Sequence, residues 1–323
     1  MTDVLIYSPF PHQAGQGNSV TADRTELILN KAGFSVLSEG GSYSGEGASC
    51  LIALNARRSA GVVLEFDTLH PGRQVIVIVT GSDINHPEMD DRESETRRTM
   101  ARAEALVMLH QADLEALPGD LQQKAVCIFP SVILPDGTQH QPAEGNRFEV
   151  IMAGNLRPVK NPQLAVEGAR LFGDDSPVYI SSYGDASGEL AVEMSKSSEE
   201  VSHFQWCGKV SHAELLGKMT RAHVLLNTST LEGGANAICE AVSMGLPVVA
   251  SDIRGNVGML GDDYPGLFPS GDVRAMVDLL QRCAASASFY EDLGQRVKKR
   301  ARVFDFAAES AAWISLVRAQ LAQ

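Results

Sequence analysis

Two glutamates and two glycines in one stretch of the chain could together bind a phosphorylated sugar. The stretch Thr228–Asp252 reads TSTLEGGANAICEAVSMGLPVVASD, and within it Glu232 and Glu240 stand eight positions apart. Gly233 and Gly234 let backbone amides approach an anion closely, and a helix starting just after them aims its N-terminus at the same point. Eight residues are a little over two helical turns, so both carboxylates can lie on one side. This combination suits a diphosphate, with a carboxylate accepting hydrogen bonds from vicinal hydroxyls.

The pair of glutamates has a plainer alternative, which is a solvated helix face. Glu240, however, lies among the apolar residues Ile238, Cys239 and Val242. A carboxylate in so apolar a segment needs a partner, because burying an unpaired charge is costly. We therefore expect Glu240 to be paired or to bind a ligand.

Cations follow two predicted strands and could hold anions in an otherwise acidic chain. Arg57 and Arg58 follow the run LIALNA, and Arg157 and Lys160 follow FEVIMAG. Arginine can engage a phosphate with two hydrogen bonds, whereas lysine acts as a point charge. These four residues are candidates for binding phosphate groups and for stabilising a leaving diphosphate.

Two further loops carry residues that could bind a substrate. Thr80, Gly81 and Asp83 directly follow the strand QVIVIVT, where site residues of α/β proteins belong. Asp83 could bind a sugar hydroxyl or act on an acceptor, or it could simply stabilise a turn. The loop GQGNS is not a G-x-G-x-x-G dinucleotide motif, so Gly17 and Asn18 are read as contacts to a diphosphate or sugar.

Other polar residues have weaker signals. His12 follows the first predicted strand and could enter the site, and Asn256 of RGNVGMLGDD could shape it or belong to a solvated turn. The histidines lack ligand spacing, and the sequence has no Asp-x-Asp pair to bridge a diphosphate through a metal. We expect no metal and no cofactor.

The elements that must position these residues alternate between strand and helix. Apolar runs such as VLIYSPF, CLIALNA, QVIVIVT, FEVIMAGNL and HVLLNTS predict buried strands separated by helices. This alternation favours an α/β fold with two doubly wound, Rossmann-like parallel-sheet domains facing a cleft. The polar segment Leu134–Arg147 predicts a linker, which places the domains at 1–145 and 146–304.

Composition limits the class of protein. The chain has 323 residues, 44% hydrophobic, with a formal net charge of −13. An acidic chain is a poor partner for nucleic acid or an anionic membrane, so neither is expected. The N-terminus lacks a signal-peptide pattern, and the five scattered cysteines fit reduced thiols, which together predict a cytoplasmic protein.

The segment EGGANAICE resembles the E-x7-E signature of retaining-type, family 4-type glycosyltransferases with GT-B architecture. The resemblance implies that Glu240 holds the ribose of a nucleotide sugar. It also implies that the loop residues Gly233, Gly234, Ala235 and Asn236 contact this donor together with Glu232. AGNLRPVKN resembles the family's second donor loop, with Lys160 at the family lysine, Asn155 at the usual arginine position and Arg157 two residues on. A final helix at about 305–323 is expected to return to the N-terminal domain.

The resemblance narrows to the selenosugar synthases of the selenoneine pathway. It is carried, in chain order, by GNSVTADR, LIALNARRSA, VIVTGSDIN, LRPVKNPQLAVEGARL, EGGANAICEA and RGNVGMLGDDYPGLFPSGD. It implies transfer of N-acetylglucosamine from UDP-N-acetylglucosamine to selenophosphate, with release of UDP and phosphate. A downstream enzyme of the selenoneine pathway is then an expected partner.

Two departures leave alternatives open. The subfamily has histidine where Asn55 stands, and a TGTDLY-like string in place of TGSDIN. Both lie on the acceptor side, so the acceptor could instead be thiophosphate or a hydroxyl. A third alternative, supported by Asn55 and Asn155, is a sugar-nucleotide sensor without turnover.

Overall fold

The chain folds into alternating strands and helices, as the apolar runs predict. The computed structural model describes residues 2–11 and 17–322, which form two six-stranded parallel sheets. The aliphatic runs that predict strands are almost fully buried, because helices cover both faces of a parallel sheet.

The first sheet has the strand order β2-β1-β3-β4-β5-β6. Its elements are β1 (Thr2–Ser8), α1 (Gly17–Lys31), β2 (Val36–Gly40), β3 (Ala48–Leu54), α2 (Ala60–Leu69), β4 (Gln74–Ile78), α3 (Gly81–Ile84), α4 (Glu95–Arg102), β5 (Ala105–Met108), α5 (Gln111–Glu115), α6 (Gly119–Gln122) and β6 (Ala125–Cys127). Alternate residues face two separate cores: Leu5 packs with Phe66 on one face, and Val4 packs with Trp313 on the other.

The second sheet has the order β12-β11-β10-β7-β8-β9. Its elements, with the final helix, are β7 (Phe148–Ala153), α7 (Pro162–Arg170), β8 (Val178–Tyr183), α8 (Gly188–Glu200), β9 (Phe204–Trp206), α9 (His212–Arg221), β10 (Val224–Asn227), α10 (Asn236–Met244), β11 (Val248–Ser251), α11 (Arg254–Leu260), β12 (Leu267–Phe268), α12 (Val273–Ala285), α13 (Ala287–Arg300) and α14 (Phe306–Leu321). Short 3-10 turns cover Pro87–Met89, Pro158–Lys160 and Ala301–Phe304.

The chain divides into two compact units. The first combines Met1–Ser131 with Asp305–Gln323, and the second is Val132–Phe304. The helix α14 returns to the first unit, where Trp313 is buried in the core with the strands of the first sheet. The units therefore divide at Ser131 and Val132, whereas the sequence places the division at residues 145 and 146.

The polar segment before β7 belongs to the second unit for a specific reason. Its backbone amides at His140, Gln141 and Ala143 donate hydrogen bonds of 2.8–3.0 Å to carbonyls of Met244, Thr220 and Arg221. An irregular segment that satisfies its amides on one unit is fixed to that unit.

Two local features do not follow from residue type alone. Ser19 and Thr21 are residue types that favour helix N-caps, but α1 begins at Gly17 and both lie inside it; the Thr21 hydroxyl donates to the Gly17 carbonyl. The two-residue strand β12 was not predicted, because Leu267–Phe268 is too short to form an apolar run.

The cysteines differ strongly in exposure. Cys207 is exposed, Cys127 is half-buried, and Cys50, Cys239 and Cys283 are buried. Burial raises the pKa of both the Cys50 and Cys283 thiols to about 12. Because the thiolate is the reactive species, we expect alkylation to begin at Cys207.

Time-resolved labelling with iodoacetamide, followed by peptide mass spectrometry, measures this order. The variant Cys207→Ser should lose the fast phase and keep its fold. A fast phase of unchanged amplitude in that variant would contradict the assignment.

Within the described part of the chain, no helix is long and apolar enough to cross a membrane.

Candidate functional site

An ion pair joins the two loops that the sequence assigns to a donor. Lys160 Nζ lies 2.5 Å from Glu232 Oε1, which also accepts from Ser229 Oγ at 2.7 Å. Burial raises the pKa of the Glu232 carboxyl, but the Lys160 ammonium and the hydrogen bonds outweigh it and hold the pKa below its ordinary value. Glu232 is therefore an anion at neutral pH.

The same two loops are also bonded through their backbones. Thr228 Oγ1 donates to the Lys160 carbonyl at 2.8 Å, and the Thr230 amide donates to the Val159 carbonyl at 2.8 Å. The loops follow β7 and β10, which are neighbours in the sheet, so their carboxyl ends meet at one edge. The proximity of Lys160 and Glu232, two residues that the sequence assigns to one donor, thus follows from the strand order.

Buried polar residues of α11 and the neighbouring strands pack against the loop that carries Glu232. Asn256 is fully buried on α11 and donates to Asn227 Oδ1 at 3.3 Å and to the Ser251 carbonyl at 3.0 Å. Next to it, Gly255 leaves room for the Glu232 backbone: a Cβ at this position would lie 2.4 Å from the Glu232 carbonyl oxygen. The RGNVG segment is therefore a support of the glutamate loop and not a solvated turn.

The helix α10 begins beside this loop without a capping side chain. Its N-cap is Ala235, whose side chain cannot accept a hydrogen bond from the first-turn amides. Gly233, Gly234 and Asn236 are half-buried around that end. The uncapped amides and the positive end of the helix dipole form an environment suited to an anion.

Glu240 has the partner that its apolar surroundings require. Its side chain is 11% exposed, and its Oε1 lies 2.7 Å from Nε2 of His212, whose side chain is 61% exposed. The hydrogen bond to Glu240 raises the pKa of His212, although burial acts in the opposite sense. His212 was not predicted as a site residue, since nothing in the local sequence links it to a residue 28 positions away.

Asn155 and Arg157 occupy different positions on the loop after β7. Asn155 Oδ1 accepts a hydrogen bond from the Asp185 amide at 3.1 Å, which ties this loop to the one after β8. Arg157 is exposed at the start of the Pro158–Lys160 turn. Asn155 thus has a local structural role, and Arg157 presents its charge to solvent.

Asp83 stabilises a turn in the first unit. Its carboxylate is fully buried and accepts from the amides of Thr80 at 2.8 Å, Ala56 at 3.1 Å and Arg57 at 3.2 Å. Burial raises the pKa of Asp83, and these hydrogen bonds offset the rise only in part. Of the two alternatives for Asp83, the geometry favours the structural turn over direct action on an acceptor.

Asn55 shapes the same turn. It adopts a left-handed φ of 67°, a conformation that asparagine tolerates better than most residues. Its Nδ2 donates to Thr80 Oγ1 at 2.7 Å and Ser82 Oγ at 2.8 Å, while its Oδ1 accepts from the Arg58 amide at 2.9 Å. The side chain is buried and fully engaged, so it positions the backbone that carries the arginines.

The remaining predicted residues of the first unit lie at loop and helix starts. Arg58 is exposed, with its guanidinium carbon 5.1 Å from the Phe10 ring centroid, and Arg57 is half-buried. Gly17 and Asn18 form the beginning of α1, and Gly81 is buried at the beginning of α3. The predicted His12, and Gly15 at the start of the GQGNS loop, lie outside the described residues.

The candidates therefore fall into two sets, one in each compact unit. The second unit holds the set with Asn155, Arg157, Lys160, Glu232 to Asn236 and Glu240; the first holds Gly17, Asn18, Arg57, Arg58, Thr80, Gly81 and Asp83. Among the described residues, no three His, Cys, Asp or Glu side chains cluster so that they could hold a metal ion.

Comparison with known proteins identifies the family. Residues 138–300 match the family described as "Glycosyl transferases group 1". The chain belongs to this family. The matched span contains the loops after β7 and β10, the glycine pair and α10.

Two curated proteins are similar over large parts of this chain. "Glycosyltransferase 1 domain-containing protein 1" of Xenopus tropicalis is 25% identical over 287 residues, covering 79% of this chain and 80% of that protein. D-inositol 3-phosphate glycosyltransferase of an Arthrobacter species is 24% identical over 216 residues, covering 64% of this chain and 51% of that protein.

Solved structures confirm the predicted fold class of this glycosyltransferase. The sucrose-phosphate synthase of Thermosynechococcus elongatus superposes with a TM-score of 0.81 at 15% identity, covering 100% of both chains. Anabaena Alr3699/HepE, solved in complex with UDP, superposes with a TM-score of 0.73 at 14% identity, covering 98% of this chain and 100% of that chain. With its two parallel sheets, the protein has the two Rossmann-like units of the GT-B fold.

Proposed function

We propose that this glycosyltransferase is a selenosugar synthase, which transfers N-acetylglucosamine from UDP-N-acetylglucosamine to selenophosphate. The observation that carries the donor half is the convergence of Lys160, Glu232 and the uncapped start of α10 at one edge of the second sheet. The structure of Anabaena Alr3699/HepE, which has a similar fold, was solved in complex with UDP, and this similarity supports a UDP-sugar donor.

Each donor residue has a role that follows from its chemistry. Arg157, Lys160 and the amides around Gly233 would neutralise the diphosphate, which is held as an anion before transfer and leaves as one. Glu232 would bind the sugar hydroxyls through its buried carboxylate. Glu240 would accept hydrogen bonds from the ribose hydroxyls, because a carboxylate is an acceptor with two oxygens.

The choice of acceptor is argued from the residues of the turn after β3. Asp83 and Asn55 are both engaged by several partners and are therefore poorly placed to abstract a proton from a hydroxyl. Arg57 and Arg58, by contrast, carry positive charge at that turn. An acceptor that arrives ionised and needs no base, as selenophosphate does, matches these residues better than a neutral hydroxyl does.

The proposed step balances without a cofactor. A lone pair on selenium attacks the anomeric carbon, and the bond from that carbon to the diphosphate oxygen breaks with UDP taking the electron pair. Water then hydrolyses the selenium–phosphorus bond and releases phosphate. Arg57 and Arg58 would offset the repulsion between the two anions, which must come close for the attack.

Thiophosphate is the second acceptor that these residues fit, because it is also an anionic nucleophile. The reading as a sensor without turnover loses its support, since Asn55 and Asn155 both have structural partners and need not mark a lost activity.

Mass spectrometry tests the proposal directly. The purified protein is incubated with UDP-N-acetylglucosamine, with and without selenophosphate generated in place. A selenium isotope pattern on a hexosamine, with UDP release that requires selenophosphate, is the expected result. Product formation only with thiophosphate or a hydroxyl would reassign the acceptor, and no binding of the UDP-sugar would overturn the proposal.

The donor-site assignment predicts a large effect of Glu240→Ala on nucleotide binding. Hydrogen bonds to a charged group contribute about 1.5–3 kcal/mol, so losing the carboxylate should weaken UDP binding by about 10- to 100-fold. Isothermal titration calorimetry measures the change. Arg57→Ala is the matched control: it should bind UDP like the wild type while acceptor use falls. Unchanged UDP affinity in Glu240→Ala would contradict the placement of the donor.

A further inference from the structure

The imidazole of His212 is hydrogen-bonded to the carboxylate of Glu240, the group that the proposed function assigns to ribose binding. Glu240 is only 8% exposed overall, yet the ring that bonds to it belongs to a side chain that is 61% exposed. Because the Glu240 carboxylate is buried and the His212 ring is mostly exposed, the ring contacts the carboxylate from the solvent side. His212 therefore lies on the side from which a ligand must reach Glu240.

We propose that His212 holds Glu240 while the nucleotide site is empty and releases it when a ribose binds. The inference rests on the proposed function, because it requires Glu240 to be the ribose ligand. His212 acts through Glu240 and is a positioning residue, so its effect should appear in nucleotide affinity and in the pH dependence of that affinity.

The chemistry of the pair makes this exchange sensitive to protonation. A neutral imidazole gives Glu240 one hydrogen bond, whereas the protonated ring adds an ion pair. The two hydroxyls of a ribose compete for the same carboxylate oxygens. Protonation therefore strengthens the internal contact and opposes the ligand, and affinity for the nucleotide should fall as His212 gains its proton.

The sign follows from linkage. The contact with Glu240 raises the pKa of His212 above its ordinary 6.5 in the empty protein. When a ribose takes over the carboxylate, that pKa returns toward 6.5, so binding releases a proton. Affinity should rise as pH rises above the ordinary value, by up to about tenfold per pH unit while the proton is being released.

Charged groups around His212 are few on the elements that pack against α9. The helix α10 contributes Glu240, the strand β7 contributes Glu149, and α9 itself carries Glu214 with Lys218 and Arg221 near its other end. The electrostatic influence on His212 comes from Glu240. Burial lowers the pKa values of His140 and His223, so both stay neutral where His212 titrates.

The experiment uses the full chain and UDP-N-acetylglucosamine, whose diphosphate diester keeps a constant charge across the range. Calorimetric titrations between about pH 6 and 8 are run in two buffers with different ionisation heats, which measures the protons released on binding. His212→Gln keeps a hydrogen-bond donor but cannot titrate, and His86→Gln in the first unit is the matched control.

We expect affinity to rise with pH and protons to be released in the wild type and in His86→Gln. His212→Gln should bind with a flat pH profile and release none. A slope that survives in His212→Gln, or weaker binding of that variant at every pH, would overturn the inference. If Glu240→Ala binds the UDP-sugar normally, the proposed donor site itself fails, and that result is distinguishable from the others.

Discussion

Replacing Glu309 with alanine should destabilise the first unit by about 3–5 kcal/mol, because it leaves a buried arginine without its counter-charge. Arg24 Nε lies 3.0 Å from Glu309 Oε1 and 2.9 Å from Oε2, and the two side chains are only 8% and 3% exposed. Removing one partner of such a pair strands the other charge in the interior.

Glu309 also binds Ser131, the last residue of the N-terminal segment of the first unit. Its Oε2 accepts from the Ser131 amide at 2.8 Å and from the Ser131 hydroxyl. One carboxylate on α14 therefore joins α1 and the last residue before the second unit begins. Loss of the Glu309 carboxylate should detach α14, the C-terminal helix, from the rest of the first unit.

Urea unfolding followed by circular dichroism measures the loss, and limited proteolysis reports the release of α14. Glu200→Ala is the control: Glu200 pairs with Lys196 at 3.6 Å on an exposed helix face, where such pairs contribute little. The double variant Arg24→Leu with Glu309→Leu should recover much of the stability, since no buried charge is left unpaired. Unfolding of Glu309→Ala at the wild-type urea concentration would contradict the assignment.

The fold was largely predictable because its signals are local. Continuous apolar runs such as Val75–Val79 can be buried on both faces only in a covered parallel sheet, and helices fill the intervals between them. Residue type alone does not reveal that the Thr21 hydroxyl donates to the Gly17 carbonyl within α1, because threonine also favours helix N-caps.

The site was predictable only where its residues share a local pattern. The glycine pair and the two glutamates lie on one segment, so their spacing carries information. The bond between His212 and Glu240 and the bonds from the Ala56 and Arg57 amides to Asp83 join separate segments. Such pairings depend on which loops the strand order brings together, and they leave no periodic trace in the sequence.

Lys160→Met should lower kcat/KM for the proposed transfer by about 10²–10³-fold. Lys160 pairs with Glu232, four residues before α10 begins, and in the proposed function it faces the leaving charge of the diphosphate. Removing one preorganised group that stabilises such a charge typically costs this much. Steady-state kinetics with UDP-N-acetylglucosamine and selenophosphate measures the loss.

The same substitution has a structural consequence that must be separated from the catalytic one. Lys160 holds the pKa of Glu232 below its ordinary 4.5, so the ionised carboxylate contributes stability above pH 4.5 that is lost as pH falls through the lowered pKa. Without Lys160, only the hydrogen bonds from Ser229 and Asn227 oppose the effect of burial, which raises the pKa of Glu232. Lys160→Met should therefore be less stable at neutral pH, by about 1–3 kcal/mol.

A second substitution separates the two effects. In Lys160→Met with Glu232→Gln, the buried group is neutral and can still accept a hydrogen bond from Ser229, so thermal stability should return close to that of the wild type. Activity should stay low, because no cation faces the leaving diphosphate. Recovery of both stability and turnover in the double variant would show that Lys160 only neutralises Glu232. Recovery of stability, with turnover well below that of Glu232→Gln alone, assigns the Lys160 charge to the reaction.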